Sequence, residues 1–182
     1  TMNHFTRRHF LQTTAAALLA EPAAHAIQPL GRTGKARLQL SVAAYSFRDY
    51  FTGELQRGGG KAVPAGQAMD MFKFIDYCGA HGCDGAELTS YFFSAETDDY
   101  LVQLRRHAFL GGVAISGTAI GNNFSHPIGP KRDEEIAKTK QWIDRAAVLG
   151  TSHVRVFAGV AKEISRAEAD KLVISALEEC CE

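Results

Sequence analysis

Glu87 closes the run Gly82-Cys83-Asp84-Gly85-Ala86-Glu87-Leu88, and a carboxylate among small residues at the tip of a short apolar strand has two uses. It faces a pocket, where it binds hydroxyls or moves a proton, or it forms an ion pair inside the fold. The strand period of two puts Gly85, Glu87 and Thr89 on one face and Asp84, Ala86 and Leu88 on the other. Arg155 alternates with His153 and Phe157 and is the cation that such a pair would use. An arginine inside a strand requires an acidic partner or a bound anion. Tyr45 and Phe47, at another strand tip, are flat enough to cover a ligand ring and apolar enough simply to pack, as is Phe157. Asn122 and Asn123 follow Gly121 and offer amides to hydroxyl groups, although Gly-Asn-Asn is also ordinary turn chemistry. His126, beside Pro127, is a loop histidine near a strand tip, with solvation as its plain alternative. Glu87 is the best catalytic candidate, and no metal ligand is assigned.

These residues sit on a repeated unit. Glycine just past a helix end, then a short strand, then a polar loop is the grammar of a parallel βα repeat. Gly79 precedes the Glu87 strand, Gly111-Gly112 precedes Val113 to Ile120, and Gly150 precedes His153 to Phe157. A first strand is expected over Leu38 to Ser46, followed by a long loop, Arg48 to Gly66, that is either a lid or a surface insertion. Helices are expected over Gln67 to Gly79, with Ala68, Phe72, Ile75 and Cys78 on one face, over Glu96 to Leu110, and from Pro130 to a stop at Gly150. A fourth opens at Ser165 and Glu168, spaced as a capping box. Strand tips at Phe47, Glu87, Ile120 and Phe157 define an α/β chain of four parallel βα modules joined by right-handed crossovers. A closed eight-module barrel needs about 250 residues, so this is half of one or a complete four-stranded fold of another kind.

Composition narrows the partners. With 20 basic and 20 acidic residues in 182, and 46% hydrophobic, the chain buries a core and carries no charge bias toward nucleic acid or an anionic membrane. No apolar run reaches the roughly 20 residues of a membrane helix, so no stable membrane anchor is expected. Thr6-Arg7-Arg8-His9-Phe10-Leu11-Gln12 resembles a twin-arginine export signal, with Ala24-His25-Ala26 as its cleavage site. The expected organisation is a signal peptide over 1–26, a linker over 27–37, a βα domain over 38–182, and a periplasmic or otherwise exported location. The four cysteines show no C-x-x-C spacing and read as buried small residues rather than zinc ligands.

Ala44-Tyr45-Ser46-Phe47-Arg48, Gly82 to Leu88, and Leu149-Gly150-Thr151-Ser152-His153-Val154-Arg155-Val156-Phe157-Ala158-Gly159 resemble the first, second and fourth strands of the sugar phosphate isomerase/epimerase family, with its xylose isomerase-like TIM barrel. The resemblance covers Leu38 to the C-terminus. It implies a (βα)4 N-terminal half of a (β/α)8 barrel. It also implies a small sugar or sugar phosphate as substrate, with metal-assisted proton transfer between adjacent carbons. The family's divalent metal (Mn, Mg, Zn or Co) and its glutamate pair belong to strands five to eight, beyond Glu182, so no metal is expected for this chain alone.

An alternative is a non-catalytic carbohydrate-binding or accessory barrel, since fold does not fix function. A DNA-repair endonuclease of related shape is disfavoured by the neutral charge and the export signal. Four strands with helices on one side leave an inner face, expected to include Tyr45, Phe47, Ile115 or its neighbours, and Phe157, that favours association into a homo-oligomer.

Overall fold

The computed structural model describes Lys35, residues 38–51, Val63, residues 66–162 and residues 164–182. The chain divides into a unit Thr1–Arg37 and a unit Leu38–Glu182. The expected signal and cleavage site lie outside the described residues, as does the expected linker apart from Lys35. Among the described residues no helix is long and apolar enough to cross a membrane.

The second unit is a four-stranded sheet in the order β1 (Ser41–Ala43), β2 (Gly85–Thr89), β3 (Ala114–Ala119), β4 (Val154–Arg155), every pair parallel. Four helices intervene or follow: α1 (Met71–Ala80), α2 (Asp98–Leu110), α3 (Pro130–Leu149) and α4 (Arg166–Cys181). Each packs on the next, α1 on α2, α2 on α3 and α3 on α4. Sequential parallel strands linked by helices are the βα repeat expected from the glycine punctuation.

Local chemistry sets the helix ends. The Asp70 carboxylate accepts the Lys73 N–H at 2.8 Å, so α1 begins at Met71 rather than at Gln67. Its buried face is accordingly Met71, Phe74, Ile75 and Cys78. Phe72 turns sideways onto Tyr100 and His107 of α2. Thr97 caps α2, and Pro130 opens α3, which stops at Gly150 with φ +79°. The Ser165 hydroxyl accepts the Glu168 N–H at 3.3 Å and starts α4 as its spacing required.

The first strand is much shorter than Leu38 to Ser46, because the chain winds into 3-10 turns over Ala44–Tyr50 as soon as it leaves Ala43. The ends of the following loop are clipped by a Met69 N–H to Tyr50 carbonyl hydrogen bond of 2.8 Å.

The core lies between sheet and helices. Ala86 and Leu88 of β2 meet Phe74, Ile75, Leu101, Leu104 and Trp142, all buried. Trp142 donates its Nε1–H to Thr118 Oγ1 at 3.1 Å, and that hydroxyl donates to the Leu88 carbonyl at 2.6 Å, so the indole polar atom is satisfied inside the apolar layer. Phe124, Ile136 and Ala176 form a smaller cluster beneath α3 and α4.

Candidate active site on the inner face of the sheet

Glu87 stands on the face opposite the core, between Ala43 of β1 and Gly117 of β3. A side chain built on Gly117 would meet the Glu87 Cγ at 3.7 Å and the His153 Cβ at 3.6 Å, so these three positions share that face. One row therefore runs Ala43, Glu87, Gly117, His153. The next, Thr89, Ala119, Arg155, follows from the register of β2, β3 and β4. Above it Gly121 lies directly under the Tyr91 hydroxyl, 2.6 Å from where its Cβ would be. Gly117, Ala119 and Gly121 thus make a floor of minimal side chains, with Glu87, Thr89 and Tyr91 on one wall and His153, Arg155 and Phe157 on the other.

A register irregularity creates this arrangement. β2 pairs Ala86 with Ile115 and Glu87 with Gly117, leaving Ser116 as an extra residue in β3. The bulge turns both Ser116 and Gly117 inward. Ser116 Oγ hydrogen-bonds Ser41 Oγ at 2.6 Å, and Ile115 faces the core, so its neighbour Ser116 takes the inner-face place expected of Ile115 or its neighbours.

Burial raises the Glu87 carboxyl above the usual carboxylate range, opposed by the positive charge of Arg155 and by the Thr89 hydroxyl. Thr89 donates to Glu87 Oε2 at 3.4 Å, whereas Oε1 is buried without a hydrogen-bond partner. Arg155 is held by other groups: it donates to the Ile120 carbonyl at 3.2 Å and its guanidinium lies 4.2 Å from the Phe157 ring centroid. The two charges act on one another across the β3 floor without a direct hydrogen bond. A carboxyl with an unpartnered oxygen, a fixed cation and a ring face thus gather over small residues on the helix-free face.

The other candidates separate. Tyr45 reaches the rim, half-exposed, with its ring 6.3 Å from Tyr91 and Arg48 over it. Phe47 packs instead on Phe74 and Tyr77, at 5.8 and 4.9 Å, as part of the α1 layer. The Asn122 amide is spent on the backbone: its Nδ2–H donates to the Phe157 carbonyl at 2.8 Å and its Oδ1 accepts the Phe157 N–H at 2.7 Å. Asn123 Oδ1 accepts the Ser125 N–H at 2.9 Å, an Asx turn. Asn123 thus makes a local turn contact, whereas Asn122 ties its loop to the distant Phe157 backbone. His126 borders a polar cavity of about 390 Å³ with Lys131, Glu134, Glu135 and Lys138 of α3. Thr89 lies on the Glu87 face as strand period two requires, whereas Tyr91, Gly117 and Ala119 join the site without having been expected there. The alternating small residues of Gly117-Thr118-Ala119-Ile120-Gly121 were the available signal, and the preceding bulge breaks their count.

A parallel βα array with a polar groove on its helix-free face is a segment of a TIM barrel. The sequence profile described as xylose isomerase-like TIM barrel matches residues 75–182, more than half of the chain, and the chain belongs to that family. Its fold is similar to the crystal structure of D-psicose 3-epimerase in the presence of D-fructose, with TM-score 0.58 and 14% identity over 77% of this chain and 46% of that one. It is also similar to D-psicose 3-epimerase with D-tagatose from Clostridium cellulolyticum H10, with TM-score 0.59 and 15% identity over 79% and 47%. The chain therefore spans just under half the length of these two proteins, and at such identities the likeness establishes the fold. No curated protein sequence matches it.

Proposed function

We propose that the chain is part of a sugar isomerase or epimerase and that its inner sheet face contacts a small carbohydrate or sugar phosphate while a proton moves between adjacent carbons. The observation that carries this reading is the Glu87 carboxyl, buried with Oε1 unpartnered and facing Arg155 across a glycine floor. Burial brings such a carboxyl closer to neutral pH, where it serves as a hydrogen-bond partner for a hydroxyl or as an acid–base group. Tyr45, Tyr91 and Phe157 supply ring surface at the rim, and Arg155 orients an oxygen.

The resemblance also implies a divalent metal that polarises substrate oxygens. Among the described residues no three His, Cys, Asp or Glu side chains gather as a metal site. The described residues do not by themselves fit the ion.

The test is titration of the chain with D-fructose and D-tagatose, the sugars of the two similar structures, followed by nuclear magnetic resonance of the Gly117 and Gly121 amides. Shifts that vanish in Glu87→Gln and persist in His126→Ala support the reading. Shifts indifferent to Glu87→Gln, or confined to other surfaces, defeat it. Exchange of a substrate carbon-bound proton with solvent, measured with any metal supplied, separates a catalyst from a binding protein.

A further inference from the structure

We infer that Cys78 and Cys83 form a dithiol–disulfide pair, a reversible modification site in the turn between α1 and β2 whose co-substrate is a small-molecule disulfide of the glutathione kind. The inference rests on the turn and is independent of the sugar reading.

The turn brings the two side chains together. Past the end of α1 the chain reverses at Gly82, with φ +72°. The Cys83 N–H donates to the Cys78 carbonyl at 2.9 Å, and the Gly82 N–H donates to the Gly79 carbonyl at 3.1 Å. This is a Schellman arrangement, which sets a side chain in the last turn of the helix against the one that follows the glycine. Those two side chains are Cys78, fully buried, and Cys83, which packs partly buried on the same cluster. They stand in hydrogen-bonding contact.

The same turn ends α2 and α3, where the Val113 N–H donates to the Ala108 carbonyl at 2.9 Å and the Thr151 N–H to the Ala146 carbonyl at 3.1 Å. The equivalents of the cysteine pair are therefore Ala108 with Val113 and Ala146 with Thr151, all buried. Alanine beside valine or threonine satisfies the packing of this turn, so two thiols exceed what packing requires. Cys83 also differs from Val113 and Thr151 in being partly exposed, which gives a solute access to its sulfur. Cys180 packs on the separate cluster of Phe124, Ile136 and Ala176, which leaves Cys78 as the partner of Cys83.

Burial and the adjoining Cys83 push the Cys78 thiol up to about 11, so it is a poor nucleophile at neutral pH. Cys83 is the entering thiol. Its thiolate attacks one sulfur of the glutathione disulfide, that S–S bond breaks, and the first glutathione leaves as a thiol with the proton Cys83 has lost. Cys78 then gives its proton to water, attacks the Cys83 sulfur and expels the second glutathione, which takes up a proton. One external disulfide is reduced to two thiols while Cys78 and Cys83 are oxidised to one disulfide.

The experiment equilibrates the 182-residue chain with mixtures of reduced and oxidised glutathione, quenches with acid, alkylates in urea and weighs the tryptic peptide 74–105, which holds both cysteines. An unalkylated peptide lighter by two hydrogens is expected. It should form at a glutathione ratio about tenfold more reducing when the chain is folded than when it is held in urea, because the turn keeps the sulfurs adjacent. Cys78→Ala installs the residue that α2 and α3 carry at this position and should trap Cys83 as its glutathione adduct. Cys83→Ser should leave Cys78 unmodified in the folded chain. The measurement on the unsubstituted chain stands whether or not either variant folds. A doubly alkylated peptide at every ratio would overturn the inference. So would a bond from Cys83 to Cys180 or Cys181, an adduct on Cys78 in folded Cys83→Ser, or a pair oxidised no more readily folded than in urea.

Discussion

Glu87 and Arg155 rise from strands that are not neighbours, and the residues of β3 between them are Gly117 and Ala119, so the two charges sense each other across an open floor. Any larger residue on β3 would fill the space they share.

That relationship makes stability depend on pH. Burial holds the folded Glu87 carboxyl above its unfolded value. The sign follows: the folded state binds the proton more tightly, its advantage is complete below the unfolded carboxylate range, and it is lost as pH rises through the folded value. Glu87→Gln should flatten this segment of the stability profile and cost no more than about 1 kcal/mol at neutral pH, since the groove is partly solvated. Urea unfolding from pH 4 to 8 checks it, and an unchanged slope would show that another group sets the pH dependence.

Thr118 Oγ1 links Trp142 to Leu88 within the core. Thr118→Val keeps the shape but strands the indole N–H, and about 1–3 kcal/mol of stability should be lost. Thr118→Ser retains the hydroxyl and should lose less. Equal losses in denaturant titration would deny the hydroxyl its role.

Asn122 exchanges two hydrogen bonds with the Phe157 backbone while only 7% exposed. Asn122→Ala should cost about 2 kcal/mol, and hydrogen exchange at the Phe157 amide should accelerate ahead of exchange in β2. Uniform acceleration across the sheet would mean that the residue is not a local strap.

A methyl group at Gly121 would stand 2.6 Å from the Tyr91 hydroxyl and 3.1 Å from its ring. Gly121→Ala should displace that ring, altering the near-ultraviolet circular dichroism, and should weaken sugar binding several-fold. Unaltered tyrosine signals would place Tyr91 elsewhere in solution.

The proposed export route has its own test. Replacing Arg7 and Arg8 with lysine should leave uncleaved precursor in the cytoplasm, observed by fractionation and immunoblotting. Normal delivery of that variant would rule out twin-arginine export.

The sequence alone determined the order and kind of the elements, because their signals are local. Asp70, Thr97, Pro130 and Ser165 start helices through groups within three or four residues of themselves, and Gly150 ends one through its own φ. It also placed Glu87 on the face of β2 opposite Ala86 and Leu88, since period two is read from neighbours along the chain, but not its place along the strand: β2 runs on to Thr89, so Glu87 stands in mid-strand rather than at the expected tip. Tertiary structure decided what surrounds that carboxylate. The Ser116 bulge, the floor under Glu87, the capture of Asn122 by Phe157 and the turning of Phe47 onto Tyr77 join residues distant along the chain. Contacts of that kind depend on strand register and on packing volume, which are settled only when separate elements meet.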